Sequence, residues 1–461
     1  MSTAPASVAR LHRRRTAAVL GGAAAALAAL LLLSPRATEV RRTTGPSSPY
    51  LSARLDSSHI LRGTTETYLA IALAAPDHRV TARAPTSVAI VLDRSGSMLG
   101  QPWQDAVAAA HVLLDELGPA DELAIIAYST SAEVVVPLQA ATSEARALAR
   151  AAIAALHAEG GTNISGGLGH GADELARART PLRRMVLISD GQANEGIYDR
   201  VGLVRLAGQR AAAGISITAV GVGLEFNEET MAGIAVAGRG NYHFVEDTAQ
   251  LGAMFVAELG SLGETVLTHA SLRVEPAAGV ELLDVIGYEA TRDGRALVIP
   301  VADLRRGERT KVVLRIRATV GAETVKELAA VTWTFDELGR GRRSHEAVAR
   351  AEVTGDATVV ASRRDKDTVR LVEEARTARA LEEASAAYHD GKRDHAQQIL
   401  RVRAAEAAAL ASELGDDALG RDIGTVTGRV ERGFAAAPSA GAAEGKKAIK
   451  GGRADAYELA R

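Results

Sequence analysis

The chain reads as an α/β protein: a doubly wound, mostly parallel, Rossmann-like sheet, inserted in or followed by an antiparallel β-sandwich, with a helical hairpin towards the C terminus. Three patterns predict this. Between Thr86 and Leu262, apolar runs with little polar interruption alternate with stretches of helical spacing, as strands buried on both faces of a parallel sheet require. From Thr265 to Thr354 the apolar period is two: Val312, Leu314 and Ile316 alternate with Val313, Arg315 and Arg317, as expected of a sheet with one dry and one wet face. From Asp365 to Gly433 the sequence is rich in Ala, Glu and Arg, with Val369, Val372, Leu381, Ala384 and Tyr388 near helical spacing.

At 461 residues the chain exceeds one hydrophobic core, so several domains are expected. The formal net charge of -2 and the dispersed Lys and Arg residues give no footprint for nucleic acid. Cysteine is absent, which excludes disulfides, thiolate metal sites and cysteine nucleophiles. A basic N-tail, residues 1–15, carries Arg10, Arg13, Arg14 and Arg15 and precedes the uncharged run Thr16–Leu33. Eighteen helical residues span roughly 27 Å, enough for a hydrocarbon core. Pro35 stands where a cleavage site wants a small residue, so a retained transmembrane anchor is expected rather than a cleaved signal, with the bulk of the chain outside the cytoplasm. Cleavage would make the protein secreted.

Residues 34–49, with "RTTGPSSP", read as a linker. The strand-like residues 50–85 are too few for a domain and are expected to join the sandwich of residues 265–354. Within residues 86–262 the expected strands are Ser87–Asp93, Leu123–Tyr128, Val134–Leu138, Met185–Asp190, Ile215–Gly223 and Asn241–Asp247, with helices at Pro102–Leu117 and Ser143–Ala158 and an amphipathic segment at Leu251–Leu262. In residues 365–433, "HDGKRD" marks the turn of the hairpin. The small and charged residues 434–461 are expected to be disordered.

Ligand sites in open parallel sheets form at the carboxyl ends of strands where the winding reverses. At one such end stands "VLDRSGSM", with oxygen side chains at Asp93, Ser95 and Ser97. Two further loops bring similar donors: "EGGTNISGGL" with Thr162, and "LISDGQANEG" with Asp190. Hard cations such as Mg²⁺ take oxygen ligands in octahedral geometry. Two carboxylates and neutral hydroxyls leave such an ion short of one ligand, which an outside carboxylate can supply. Gly96, Gly161 and Gly191 give the backbone room to turn around the ion, and Ser97 is expected to open the following helix.

The D-x-S-x-S of Asp93, Ser95 and Ser97, with Thr162 and Asp190 in that order, resembles the metal-ion-dependent adhesion site of the von Willebrand factor type A family over about Thr86 to Leu262. The resemblance implies Mg²⁺ (Mn²⁺ or Ca²⁺ in some members) on these five residues, a protein ligand presenting Asp or Glu, and no catalysis. The β-rich flanks more loosely resemble bacterial proteins similar to calcium-activated chloride channel proteins and inter-alpha-trypsin inhibitor heavy chains. Taken singly, the same residues have blander readings: Asp and Ser cap helices, Thr162 could cap the helix near Ile164, and Asp-Gly is common turn chemistry. His157 and His170 are expected to be surface residues, Asn194–Gly196 and Glu225 either solvated loop, the favoured reading, or a rim of the site that tunes partner choice, and Trp103 either an exposed contact or a helix anchor. A metal-dependent hydrolase or phosphotransferase is the rival from another class, and a scaffold with a structural metal is a third reading. The first lacks a Gly-x-Ser-x-Gly elbow, a P-loop or a His-Glu-x-x-His helix in the chain.

Overall fold

The computed structural model describes residues 41–43, 50–77, 84–189, 193–222, 227–245 and 264–461. The expected anchor Thr16–Leu33, the segment Leu251–Leu262, Asp190 and Glu225 lie outside these residues. Among the described residues no helix is long and apolar enough to cross a membrane.

A short strand β1 (Arg41–Thr43) is followed by β2 (Leu51–Leu55), β3 (His59–Leu61) and β4 (Gly63–Ala74). The α/β segment then intervenes before the chain returns to strands at β11 (Thr265–Pro276). Its sheet comprises β5 (Thr86–Asp93), β6 (Glu122–Tyr128), β7 (Ala132–Ala140), β8 (Leu182–Ser189), β9 (Ile215–Val222) and β10 (Arg239–Val245), in the order β10-β9-β8-β5-β6-β7. All pairs are parallel except β6 with β7, whose short connection permits only a hairpin. Every residue of β5 and β9 is buried, because helices cover both faces. On one face α1 (Gln101–Glu116) and α2 (Ser143–Ala154) bring Leu113, Leu114 and Ile153 against Val88, Ile90 and Leu92. On the other, α3 (Ile164–Leu175), α4 (Arg200–Ala212) and α5 (Glu228–Ala237) set Leu168, Leu203 and Ile234 against Ala89, Val91 and Leu187. From β5 the chain moves outward to β6 and β7, then returns to β8 on the opposite flank of β5. The winding therefore reverses at β5, whose last residue is Asp93.

The remaining strands are β12 (Val280–Ile286), β13 (Thr291–Asp293), β14 (Ala296–Pro300), β15 (Leu304–Arg305), β16 (Arg309–Val320), β17 (Val325–Glu337) and β18 (Gly341–Thr354). One sheet runs β18-β17-β11-β14-β13, and a four-stranded sheet runs β12-β16-β4-β2. The early strands thus complete the later ones: β4 pairs with β16 from Gly63↔Val320 to Ala74↔Arg309, and β3 lies beside β18. Leu69, Ile71, Leu73, Val312, Leu314 and Ile316 face Leu272, Val274, Trp333 and Phe335 of the larger sheet in one core.

Three expectations are corrected by tertiary packing. The outer face of the four-stranded sheet is not wet: Ala70, Ile286 and Val313 pack on Val372, Ala375 and Ala378 of a helix. The hairpin is a larger assembly. After α6 (Ala357–Ser362) come α7 (Lys366–His389) and α8 (Arg393–Leu414), and the left-handed Gly415 (φ +61°) ends α8 before α9 (Asp417–Ala436). Lastly, the segment expected to be disordered contains α10 (Ala443–Ala460), with Ile449, Ala456 and Ala460 buried. Its small residues permit close approach: a Cβ on Gly452 would stand 2.9 Å from Ser385 Oγ on α7. Residues that each bury little area give no amphipathic signature, so only the complementary surface of α7 and α9 lets this helix offset its ordering entropy.

Candidate metal-binding site

Asp93 ends the central strand with its side chain fully enclosed, at 0 % exposure. Its Oδ1 accepts the Ser95 N–H at 2.8 Å, a tight turn that swings the chain away from the sheet. Its Oδ2 accepts the Ser189 hydroxyl at 2.7 Å from the end of the neighbouring strand β8. Burial pushes the Asp93 carboxyl up, opposed by hydrogen bonds from Ser189, Ser95 and Tyr128. The adjacent Arg94 does not compensate it, because its guanidinium turns outward to Glu133 (3.2 Å) and Glu159 (3.1 Å). Among the described residues Asp93 has no ion pair. The carboxylate is thus held by dipoles alone, an arrangement that a cation would stabilise.

The turn after Asp93 carries the two serines. Ser95 is buried, Ser97 is exposed, and their hydroxyl oxygens share a hydrogen bond at 3.0 Å. Ser97 does not open the next helix, contrary to expectation: it lies in a turn of 3-10 helix, Gly96–Met98, and α1 starts after Gly100. Pro102 in the first turn of α1 has no N–H to donate and suits that later start.

The Thr162 loop is tied directly to this turn. Gly96 N–H donates to Gly160 O at 3.0 Å, and Glu159 N–H donates to Arg94 O at 2.7 Å. Gly160 makes this approach possible. Its φ of +77° is left-handed, and a Cβ there would lie 2.7 Å from Thr130 Oγ1. Thr162 itself is buried, its N–H donating to Asn194 Oδ1 at 2.8 Å and its carbonyl accepting from Asn194 and Glu195 N–H. The cap of α3 is Asn163, whose Oδ1 accepts the Gly166 N–H at 2.8 Å. That bond leaves the Thr162 hydroxyl out of the capping role. The same side chain donates from Nδ2 to Thr130 O, so both ends of the Asn163 amide are in use.

The structure therefore brings Asp93, Ser95, Ser97, Ser189 and the Thr162 loop to the carboxyl end of β5, while Asp190 lies outside the described residues. These are hard oxygen donors of the kind Mg²⁺ takes. Among the described residues no group of three or more His, Cys, Asp or Glu converges elsewhere as an alternative metal site. The sequence does not single out Ser189 as a contact of the site, and it gives Asn194 only as a candidate rim residue. Ser189 directly precedes Asp190 at a strand end, which is the signal that could have found it. Asn194 reads as solvated loop, yet it clamps Thr162. His157 and His170 are exposed, and Trp103, in the first turn of α1, is partly buried against the core.

The family comparison meets this geometry at the same place, with residues 87–256 matching the von Willebrand factor type A domain. The chain carries a von Willebrand factor type A domain. An uncharacterized Synechocystis protein is 31% identical over 220 residues, 48% of this chain and 51% of that one. Inter-alpha-trypsin inhibitor heavy chain H1 of Bos taurus is 27% identical over 130 residues, 26% of this chain and 14% of the heavy chain. The chain thus spans about half the length of the first relative and far less of the second. Among solved structures, a von Willebrand factor type A protein from Catenulispora acidiphila superposes with a TM-score of 0.65 at 21% identity, covering 83% of this chain and 91% of that one. That likeness is one of fold, and it extends well beyond the type A domain into the strands and helices on either side of it. Domains of this type commonly mediate protein–protein interaction through a metal-dependent adhesion site.

Proposed function

We propose that the type A domain binds a protein partner by accepting one of its Asp or Glu side chains at a divalent cation, Mg²⁺ by preference, held by Asp93, Ser95, Ser97, Thr162 and Asp190. The observation that carries this reading is the enclosed Asp93 carboxylate, which has no cationic neighbour among the described residues and lies beside two paired hydroxyls. A bound ion supplies the missing positive charge and one open position for an oxygen from outside. The protein's own residues do the rest. Asp93 and the hydroxyls would hold the ion at the strand end, and the exposed Ser97 leaves one side of the donor set open to solvent.

A protein, rather than a small molecule, is favoured by what surrounds the donors. Leu99, two residues after Ser97, is 67% exposed, and Tyr198 and Val201 are 65% and 61% exposed in the segment beyond Asn194. The Ile197 N–H anchors that segment to Ser165 Oγ at 2.9 Å, three residues past Thr162. Large exposed apolar side chains near a polar centre are the composition of a contact surface. The anchored, exported setting expected from Thr16–Leu33 belongs to this proposal, the partner then lying outside the cytoplasm.

The test is affinity capture on the immobilised chain with Mg²⁺ and with EDTA, comparing wild type with Ser95→Ala. The expected result is a retained protein that EDTA elutes and the variant fails to hold. Retention of the same protein by the variant, or in EDTA, overturns the proposal.

A further inference from the structure

Away from the metal site, α5, the end of β12, α7 and α10 enclose a cavity of about 580 Å³ where three parts of the chain meet. Its charged lining is unbalanced: Glu228, Glu229, Glu289, Glu382 and Glu383 against Arg200 and Arg453. Both guanidiniums are already engaged. Arg200 bonds Glu289 at 2.9 Å, and Arg453 bonds Glu228 and, at 2.9 Å, Glu229. Lys450, behind the wall, completes Glu228 at 2.9 Å. Glu382 and Glu383 are exposed to the cavity mouth and make no ion pair or hydrogen bond among the described residues. A second observation is independent of the acids. Tyr242 lines the same cavity at 5% exposure, and its hydroxyl has no hydrogen-bond partner among the described residues. A buried phenol without a partner carries an uncompensated desolvation cost that an arriving donor relieves.

We propose that this cavity is a second binding site, for an elongated aliphatic polyamine whose ammonium groups pair with Glu382 and Glu383 and reach the Tyr242 hydroxyl. The form of the lining selects this class. The carboxylates stand on separate walls, on α5, α7 and the turn after β12, and no three of them converge as a metal ion requires. Charges spread along a cavity match a ligand with charges spread along a chain. Ala232, Val236 and Ala386 supply apolar surface for the methylenes between them. Tyr242 remains a neutral phenol, since burial and the Glu228 carboxylate push its ionisation up, so it can accept an ammonium N–H. Desolvation by the cavity walls also pushes Glu382 up, and the nearby Glu383 and Glu229 add to this against Arg379 and Arg453, so a bound cation relieves an unfavourable cluster.

The experiment is calorimetric titration of the full chain with spermidine at physiological salt in EDTA, with 1,8-octanediol as an uncharged molecule of similar length. Saturable binding of spermidine and none of octanediol is expected. Glu382→Gln with Glu383→Gln should weaken binding about tenfold or more, equivalent to about 1.4 kcal/mol. Tyr242→Phe should weaken it severalfold without lowering thermal stability, and Ser95→Ala should leave it unchanged, which separates this site from the metal site. Absence of heat with spermidine, equal binding by the double Gln variant, equal binding of octanediol, or loss of binding in Ser95→Ala would each overturn the proposal.

Discussion

Replacing Asp93 by Asn gives a test with two opposite signatures. The Asn carbonyl can still accept the Ser95 N–H, now at 2.8 Å from Asp93 Oδ1, and the Ser189 hydroxyl can rotate to accept from the new amide. The geometry of the turn is therefore retained while a fully enclosed charge, with no ion pair among the described residues, disappears. In EDTA the variant should be at least as stable as wild type, because burying an uncompensated carboxylate costs several kcal/mol even after the surroundings relax. With Mg²⁺ at a hundred times its dissociation constant, wild type should gain about 2.7 kcal/mol through binding to the folded state alone. For a domain of this size that is a rise of about 5–11 °C in the midpoint. The Asp93→Asn variant, lacking the anionic donor, should gain almost nothing. Scanning calorimetry of the full chain in EDTA and in Mg²⁺ reads both effects. If Asp93 served only as a turn cap, the variant would instead be the less stable protein in both buffers, and neither protein would respond to magnesium. That outcome refutes the reasoning.

Gly160→Ala touches no donor, yet it forces a left-handed φ on a residue with a Cβ and drives that atom against Thr130 Oγ1. Left-handed backbone alone costs about 1–2 kcal/mol, so magnesium affinity by titration should fall roughly tenfold as the Gly160–Gly96 bond is strained. In the helical region, Glu373 and Arg403 form a buried ion pair. Arg403→Met leaves Glu373 to Arg376 at 2.8 Å and removes its buried partner, which should cost about 1.5–3 kcal/mol in denaturant unfolding, whereas Arg403→Met with Glu373→Leu should recover most of that loss; equal losses would deny the pairing. Glu228 provides a pH test. Burial raises its pKa, but the hydrogen bond and charge of Lys450 and the charge of Arg453 outweigh this and hold it below the ordinary glutamate value of 4.5. A depressed folded pKa contributes stability above the unfolded value and loses it as pH falls through the folded one. Hydrogen-exchange protection factors in α10, corrected for the intrinsic rate at each pH, should therefore fall as pH drops below about 4.3, the unfolded range, and Lys450→Met should remove that dependence.

How much of the site can be read in advance differs residue by residue. Asp93, Ser95 and Ser97 are local: an apolar run ending in an acid, with hydroxyls at alternate positions, places all three on one turn whatever the rest of the chain does. Thr162 is ambiguous in sequence between cap and donor, because either role suits a hydroxyl before a helix. Asn163 takes the cap through its own bonds to Gly166 and Thr130, which removes that role from Thr162. Ser189 is silent in sequence, and Asn194 offers no more than a place on the rim, because their importance lies in partners that are 96 and 32 residues away. In the fold, β4 and β16 announce themselves through alternation, but alternation does not say what covers the outer face. Val313 meets α7 rather than water, and this follows only from where the later helices dock.

Local patterns in the chain were sufficient to define strand and helix types, the parallel sheet and the oxygen donors at the end of β5, because period, turn chemistry and strand-end position act over a few residues. Tertiary structure alone decided that α10 is ordered, that the four-stranded sheet carries helices on its outer face, and that an acidic cavity opens between three parts of the molecule. Each of these depends on complementary surfaces from distant segments. The free energy of such contacts resides in neither segment until both are folded.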